Sequence, residues 1–175
     1  MPAATAHRYL IALGSNQRHA RLGPPRRVLA AALERLEGEG VRVIAAAPVI
    51  ETDPIGPSLR RYANSAAVIE THLDPEALLA LLKRTEREFG RRARGQRWRA
   101  RVLDLDIVLW SGGPYASGTL TIPHPLFRER AFVLGPAVTI APDWRDPLTG
   151  ATVRQLHARL TAPRPLPKRA AGKGP

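Results

Sequence analysis

The hydrophobic residues of this chain follow two periodicities, and the order of these periodicities constrains the fold more than any other feature of the sequence. Apolar residues at alternate positions predict β-strands, and apolar residues spaced three and four apart predict helices. The predicted order is strand, helix, strand, strand, helix, strand. The corresponding segments are residues 8–13, 25–37, 41–50, 64–71, 74–89 and 101–109. This order predicts an α+β fold of the ferredoxin-like split βαβ type, an antiparallel sheet with helices on one face.

Short sequence signals set the ends of these elements. The run Gly14-Ser15-Asn16 predicts a turn that closes the first strand. Asp74 followed by Pro75 predicts the N-cap and the first position of the second helix. Gly90 predicts the end of that helix, because glycine is the usual residue just beyond a helix C-terminus.

The C-terminal part of the chain extends this predicted core. It contains a short helical turn near residues 126–132 and a helix at residues 152–160. Residues 161–175 are rich in Pro, Gly, Ala and basic side chains, and such a segment buries too little apolar surface to fold. We expect a single domain over residues 1–160, followed by a basic, disordered tail.

The composition excludes several classes of function. The 175 residues include no cysteine, which excludes disulfides, thiol catalysis and zinc sites built on cysteine. No apolar run approaches the roughly 20 residues of a membrane span, and the N-terminus lacks the pattern of a signal peptide, so we expect a cytoplasmic protein. The formal net charge of +12 predicts an anionic partner, which is a nucleic acid, a nucleotide or a phosphorylated metabolite.

The last predicted strand, residues 101–109, carries Asp104 and Asp106 on one face. The face expected to point into the core consists of Leu103, Leu105, Ile107 and Leu109, and the acidic face continues with Val102, Val108 and Trp110. Two carboxylates about 7 Å apart repel each other unless a cation lies between them. Mg²⁺ is a natural candidate, because it takes a few carboxylate oxygens and completes its shell with water and phosphates. The alternative is the polar face of an edge strand.

A cluster of arginines leads directly into this strand. Its members are Arg91, Arg92, Arg94, Arg97, Arg99 and Arg101. A guanidinium group donates to two phosphate oxygens at once and keeps its charge at any working pH. Such a run can be a solvated face or a nucleic-acid patch, but here it includes Trp98 and ends at a carboxylate pair. Phosphate-binding arginines beside metal-binding carboxylates predict phosphoryl transfer.

Four further side chains are candidates for a site, and each has a structural alternative. Glu86 lies in the apolar stripe of the second predicted helix, where it either pairs with a loop arginine or fixes a loop or a ligand. His124 lies between two prolines and is either structural or part of a site. Tyr62 and Asn64 either pack and cap a turn, or offer a ring and an amide to a planar heterocycle.

Several separated segments together resemble one known family. They are residues 12–16 (ALGSN), 51–56 (ETDPIG) and 62–64 (YAN), Glu86 with Gly90-Arg91, Arg97-Trp98, residues 101–109, residues 121–125 (TIPHP) and residues 130–134 (RAFVL). In order and spacing they resemble the 6-hydroxymethyl-7,8-dihydropterin pyrophosphokinases of the folate pathway. The resemblance covers roughly residues 8–142.

This resemblance implies an ATP-dependent transfer. The family moves the β,γ-pyrophosphoryl group of ATP to the hydroxymethyl oxygen of the pterin and releases AMP, with two Mg²⁺ ions on the nucleotide. Asp104 and Asp106 match the metal ligands, and the implied catalytic set is Arg91, Trp98, Arg101, Asp104 and Asp106. The implied ATP contacts are Glu86, Arg94, Trp98, Arg101, Ile107, Thr121, His124 and Arg130. The implied pterin contacts are Thr52, Ile55, Tyr62, Asn64 and Phe132. The resemblance also implies a monomer whose partners are small molecules, without specific nucleic acid or membrane.

The chain departs from the family pattern at several positions. Arg99 replaces a usual glycine, Lys83 stands where glutamine is common, Thr119 stands where some members carry arginine, and either Arg92 or Arg94 serves as the second loop arginine. The identity of a general base, if there is one, stays open.

Two alternative functions are a ferredoxin-like RNA-binding module and a homologue that has lost catalysis. No predicted strand carries two aromatic residues at alternating positions, and two acids on a sheet face would repel RNA.

Overall fold

A computed structural model of the chain describes residues 6–53, 61–90 and 102–163. Their elements, in chain order, are β1 (His7–Ser15), α1 (Pro25–Glu37), β2 (Arg42–Ala46), β3 (Ile50–Thr52), β4 (Tyr62–Thr71), α2 (Pro75–Gly90), β5 (Asp104–Trp110), β6 (Tyr115–Ala116), β7 (Thr121–Ile122), α3 (Ala131–Ile140) and α4 (Val153–Thr161). A 3₁₀ turn, Phe127–Glu129, precedes α3. Among these residues, no helix has both the length and the apolar character needed to cross a membrane.

The main sheet has the strand order β2-β4-β1-β5, and β3 pairs with β4 beyond the end of β2. Every pair in this sheet is antiparallel, so β1 lies between β4 and β5, and β5 forms one edge. Helix α1 connects β1 to β2, and α2 connects β4 to β5. The predicted ferredoxin-like α+β topology is confirmed.

Helices cover both faces of the sheet. On one face α1 and α2 contribute side chains such as Leu29 and Leu82 to a core that also contains Ile11 of β1. On the other face α3 and α4 contribute Leu134 and others to a second core with Leu10. Burying one such side chain stabilises the fold by about 1.5–3 kcal/mol. The prediction of helices on one face therefore holds for α1 and α2, while the C-terminal extension covers the opposite face.

Local signals predicted several boundaries correctly. Helix α1 has the predicted bounds, and α2 begins at Pro75 with Asp74 as its cap. The Oδ1 atom of Asp74 accepts a hydrogen bond of 2.8 Å from the backbone N–H of Ala77, which would otherwise lack a partner in the first turn. Thr152 and Gln155 form a reciprocal capping box at the start of α4.

Several predicted boundaries are wrong. The last predicted strand begins at Asp104 and ends at Trp110 rather than spanning residues 101–109. The first strand does not turn at Gly14, because Gly14 and Ser15 continue the ladder opposite Asn64 and Ala63 of β4. The segment 41–50 is not one strand, because β2 ends at residue 46 and β3 begins at residue 50. Pro48 lies in the gap, and its missing N–H prevents a continuous ladder there.

A β-bulge in β5 corrects the predicted faces of this strand. Leu10 of β1 pairs with Leu109 while the next residue, Ile11, pairs with Ile107, so Val108 is an extra residue. The alternation therefore reverses beyond the bulge. Leu109 packs in the α3–α4 core instead of sharing a face with Ile107, and Trp110 packs against the α1–α2 core instead of continuing the acidic face.

Helix α3 exceeds the short turn predicted near residues 126–132. It is apolar on nearly all sides and contains Gly135 and Pro136, so it shows neither helical periodicity nor good helix propensity. It forms because it lies between β4 and α4, where both of its sides are covered. Packing thus overrides local preference in this helix.

Candidate active site

A cleft of about 480 Å³ opens where the end of β1 meets the starts of β4 and β5. Its walls come from four strands and from the segment that leads into α3. The lining residues are Ala12, Leu13, Gly14, Thr52, Asp53, Tyr62, Asn64, Asp104, Asp106, His124, Arg130, Phe132 and Val133. The cleft therefore brings together eight of the predicted site residues from distant parts of the sequence.

Small residues on β1 form the floor of this cleft. Gly14 lies between Asn64 on β4 and Asp104 on β5, and Ala12 lies opposite Asp106. A Cβ atom on Gly14 would stand 3.5 Å from the Oδ1 atom of Asn64 and 3.9 Å from the Cβ atom of Asp104. A larger side chain at this position would fill the space between the amide and the carboxylate.

Asp104 and Asp106 are half-buried and project from alternate positions of β5 into the cleft, as predicted. Among the described residues no group of three or more histidine or acidic side chains is arranged to hold a metal ion. This donor set fits Mg²⁺, which needs only one or two carboxylates when water and substrate phosphates complete its shell. It does not fit a closed structural site such as that of zinc.

His124 lies beside this carboxylate pair. Its Nε2 atom is 4.0 Å from the Oδ2 atom of Asp106, and its Nδ1 atom accepts a hydrogen bond of 3.2 Å from the backbone N–H of Leu126. The proton of the neutral ring is therefore on Nε2, which faces Asp106. Burial lowers the pKa of His124; the Asp106 carboxylate opposes this shift and the Arg130 guanidinium adds to it.

Arg130 and Phe132 form the wall of the cleft at the start of α3. The guanidinium carbon of Arg130 is 5.7 Å from the ring centroid of Phe132, a distance at which the cation and the ring attract each other. The 3₁₀ turn between His124 and Arg130 is held by Arg128, which donates two hydrogen bonds to the fully buried carboxylate of Asp146. The position of both cleft residues thus depends on this buried ion pair.

A polar pair lies across the cleft from the carboxylates. The Nδ2 atom of Asn64 donates a hydrogen bond of 2.7 Å to the Oγ1 atom of Thr52, which orients the amide. The Oδ1 atom of Asn64 then points toward the Gly14 side, where it can accept a hydrogen bond from a ligand. The half-buried rings of Tyr62 and Phe132 also line the cleft. An amide, a hydroxyl and two rings are suitable for binding a planar heterocycle.

Glu86 is not among the residues that line the cleft. Its carboxylate accepts a hydrogen bond of 2.7 Å from the backbone N–H of Leu105 and pairs with Lys83 at 2.9 Å. Burial raises the pKa of Glu86, although the Leu105 N–H and Lys83 both act in the opposite direction. Its described partners are therefore the backbone of β5 and a lysine of its own helix, whereas the sequence suggested either a loop arginine or a loop or ligand.

Other predicted residues have different positions. Thr121 is exposed on β7 and outside the cleft lining. The side chain of Ile107 is buried in the α1–α2 core, so only its main chain can reach a ligand. The remaining predicted site residues lie outside the described part of the chain. They are Ile55, Arg91, Arg92, Arg94, Trp98 and Arg101.

The structure adds cleft residues that the sequence analysis did not select. They are Ala12, Leu13, Gly14, Asp53 and Val133. The small residues at alternate positions 12 and 14 of β1 were a usable signal, because they leave one face of a central strand open. Asp53 gives no comparable signal, since an acidic residue after a short strand is common at the surface.

Comparisons with known proteins agree with this geometry. The model of a family described as 7,8-dihydro-6-hydroxymethylpterin-pyrophosphokinase matches residues 10–142. A 2-amino-4-hydroxy-6-hydroxymethyldihydropteridine pyrophosphokinase of Methylorubrum extorquens is 37% identical over 155 residues, which cover 87% of this chain and 93% of the relative. The protein of the same name from Pseudomonas aeruginosa is 40% identical over 142 residues, which cover 80% of this chain and 84% of the relative.

A solved structure supports the fold. The crystal structure of Plasmodium falciparum HPPK-DHPS with pteroate superposes with a TM-score of 0.66 at 13% sequence identity, and the match covers 91% of this chain. This chain spans 43% of that protein. At such low identity the similarity concerns the fold alone.

Proposed function

This chain belongs to the 7,8-dihydro-6-hydroxymethylpterin-pyrophosphokinase family, and from this premise we propose which side of its cleft binds each of the two substrates. As a pyrophosphokinase of folate biosynthesis, it transfers diphosphate from ATP to the hydroxymethyl group of 6-hydroxymethyl-7,8-dihydropterin. One observation carries the assignment of the site. A single cleft contains the carboxylate pair of β5 on one side of β1 and the Thr52–Asn64 pair on the other.

In the proposed complex the pterin ring binds on the β3–β4 side of the cleft. The Oδ1 atom of Asn64 accepts a hydrogen bond from a ring N–H, because its Nδ2 atom is already committed to Thr52. Tyr62 and Phe132 provide aromatic surface for the flat ring. The open floor at Gly14 leaves room between the ring and the carboxylates.

On the β5 side, Asp104 and Asp106 would hold two Mg²⁺ ions together with the phosphates of ATP. When bound, these ions offset the phosphate charge and align the phosphate chain. Arg130 adds a permanent positive charge at the same cleft. His124 is largely neutral near pH 7, because burial lowers its pKa, and it can donate a hydrogen bond from Nε2.

In the proposed step the hydroxymethyl oxygen forms a bond to the β-phosphorus of ATP. The bond between that phosphorus and the oxygen shared with the α-phosphate breaks, so AMP leaves with the shared oxygen and the hydroxyl proton is released to water. The cleft residues contribute mainly by positioning the two substrates and by stabilising charge on the phosphates. Among these residues, Arg130 is a fixed cation and His124 a hydrogen-bond donor.

Further parts of the proposal rest on the resemblance between sequences. Trp98 and the loop arginines, of which Arg91, Arg94 and Arg101 are the members expected to act, would contact the triphosphate. These residues lie outside the described part of the chain, as does Ile55, the expected contact of the pterin edge. A cytoplasmic monomer with a basic tail after residue 160 stays a prediction.

Product analysis tests the proposal directly. Purified protein is incubated with ATP, Mg²⁺ and 6-hydroxymethyl-7,8-dihydropterin, and the products are separated by ion-exchange chromatography. We expect AMP and a pterin diphosphate in equal amounts, and none of either from Asp106→Asn. Asp143→Asn serves as the matched control, because this carboxylate is exposed and is not among the residues that line the cleft. ADP with a pterin monophosphate would contradict diphosphate transfer, and a folded protein without turnover would support a homologue that has lost catalysis.

A further inference from the structure

Strand β5, which carries the proposed metal ligands, lies at the edge of the sheet, and one side of its backbone has no neighbour among the described strands. Helix α2 packs beside this edge. The backbone N–H of Leu105, the residue between Asp104 and Asp106, donates a hydrogen bond of 2.7 Å to the Oε1 atom of Glu86 on α2. A carboxylate acceptor makes this hydrogen bond stronger than one to a neutral group.

Lys83, one turn earlier on α2, completes the contact. Its Nζ atom lies 2.9 Å and 3.1 Å from the two carboxylate oxygens of Glu86 and 3.5 Å from the carbonyl oxygen of Leu105. The Glu86 side chain is only 17% exposed, whereas that of Lys83 is 41% exposed. Lys83 therefore compensates a carboxylate that would otherwise be buried near the two acidic residues of β5.

We propose that Glu86, supported by Lys83, is a positioning residue that fixes the main chain of Leu105 and thereby sets the direction and separation of the Asp104 and Asp106 carboxylates. The inference rests on the proposed function of these two aspartates. Groups that hold a metal ligand in place affect metal affinity although they never touch the ion. Glu86 has no described contact on the pterin side, so the effect concerns the metal–nucleotide complex alone.

A neighbouring ion pair on the same helix provides a matched control. Glu88 pairs with Arg35 of α1 at 3.0 Å and is 27% exposed, which resembles the environment of Glu86. Its partners lie on α1 and α2, and no described contact joins it to β5. Removing either charge disturbs α2, but only the change at Glu86 releases the backbone of Leu105.

The experiment measures binding of Mn²⁺ together with a non-hydrolysable ATP analogue by electron paramagnetic resonance, which needs no turnover. We expect Glu86→Ala to weaken Mn²⁺ binding by about 10- to 100-fold. Glu86→Gln should have a smaller effect, because its amide oxygen still accepts from Leu105. Glu88→Gln should stay within about twofold of wild type. In steady-state assays, Glu86→Ala should require more Mg²⁺ while the KM for the pterin stays unchanged.

The outcomes distinguish the positioning role of Glu86 from the assignment of Asp104 and Asp106 as metal ligands. Loss of Mn²⁺ binding in Asp104→Asn, together with weakened Mn²⁺ binding in Glu86→Ala, supports the proposal. If Glu86→Ala binds Mn²⁺ as well as Glu88→Gln does, the positioning role is overturned while the metal assignment survives. If Asp104→Asn binds Mn²⁺ as well as wild type does, the assignment of Asp104 as a metal ligand fails, and the positioning role of Glu86 fails with it. Should Glu86→Ala fail to fold by circular dichroism, Glu86→Met decides, because it keeps the length of the side chain but lacks the carboxylate that accepts from Leu105. Unchanged Mn²⁺ affinity in this variant overturns the proposal.

Discussion

Replacing Asp146 by asparagine tests how much of the fold around the cleft depends on one buried ion pair. The Asp146 side chain is 0% exposed and accepts two hydrogen bonds from Arg128, at 2.7 Å and 2.8 Å. It also accepts hydrogen bonds from the Thr149 hydroxyl at 2.6 Å and the Leu148 N–H at 3.1 Å. Asparagine has nearly the same shape but no charge, so Arg128 would lose its partner without a change in packing.

The expected cost follows from this burial. Removing one partner of a buried pair costs about 3–5 kcal/mol, and we expect the lower end because the asparagine oxygen still accepts one hydrogen bond. For a domain of this size each kcal/mol lowers the midpoint of thermal unfolding by about 2–4 °C. The Asp146→Asn variant should therefore unfold about 6–12 °C below wild type, as measured by circular dichroism.

The pH dependence gives the same experiment a second readout. Burial alone would raise the pKa of Asp146, but the hydrogen bonds from Arg128, Thr149 and Leu148 hold it below its usual range. A carboxyl with a lowered pKa in the folded state stabilises the fold above its unfolded pKa of about 3.9, and this contribution is lost as the pH falls through the folded value. The difference between wild type and variant should be constant from about pH 5 to pH 8 and should shrink below about pH 4.

Asp143→Asn is the control for this series. Asp143 lies in the same loop and pairs with Arg154 at 3.4 Å, but its side chain is 83% exposed. An exposed pair contributes little, so this variant should unfold within about 2 °C of wild type. Equal midpoints for the variants at Asp143 and Asp146, or a difference that persists undiminished at pH 3, would refute the reasoning from burial.

Three further predictions concern the cleft. Asp104→Ala should lower turnover, measured as AMP release, by at least about a thousandfold, because it removes a metal ligand; normal activity would contradict the metal assignment. Thr52→Val should raise the KM for the pterin about tenfold and leave that for ATP unchanged, because the Asn64 amide loses the partner that orients it; an unchanged pterin KM would disprove this role. Gly14→Ala should keep most activity, since its Cβ has only ordinary contacts, whereas Gly14→Val should raise both KM values by about tenfold or more; equal kinetics for the two variants would show that the floor is not limiting.

Much of the central fold could be predicted because its signals are local. The bounds of α1 and the Asp74 cap of α2 follow from helical periodicity and capping chemistry, which depend on neighbours in sequence. Asp104 and Asp106 share a face because alternation in a strand is geometric. Helix α3 could not be predicted in full, because its stability comes from contacts with β4 and α4 rather than from its own pattern.

The site could be predicted only in part, for a similar reason. Resemblance selected Thr52, Asn64 and His124, and all three line the cleft. No sequence signal indicates that Asn64 donates to Thr52 or that Glu86 accepts from the backbone of Leu105, because both contacts join residues that are distant in sequence. Such partners depend on strand register and helix position, which the spacing of residues along a single chain does not determine.

The β-bulge at Val108 shows how one such unpredicted feature builds the site. An extra residue in a strand leaves backbone groups outside the ladder, and here the carbonyl oxygen of Val108 accepts a hydrogen bond of 3.0 Å from the backbone N–H of His124. This hydrogen bond attaches the segment after β7 to β5, two residues from Asp106. The His124 ring consequently lies 4.0 Å from the Asp106 carboxylate. A regular strand would have continued the predicted alternation, whereas the bulged strand presents the Val108 carbonyl oxygen to the segment that carries the imidazole.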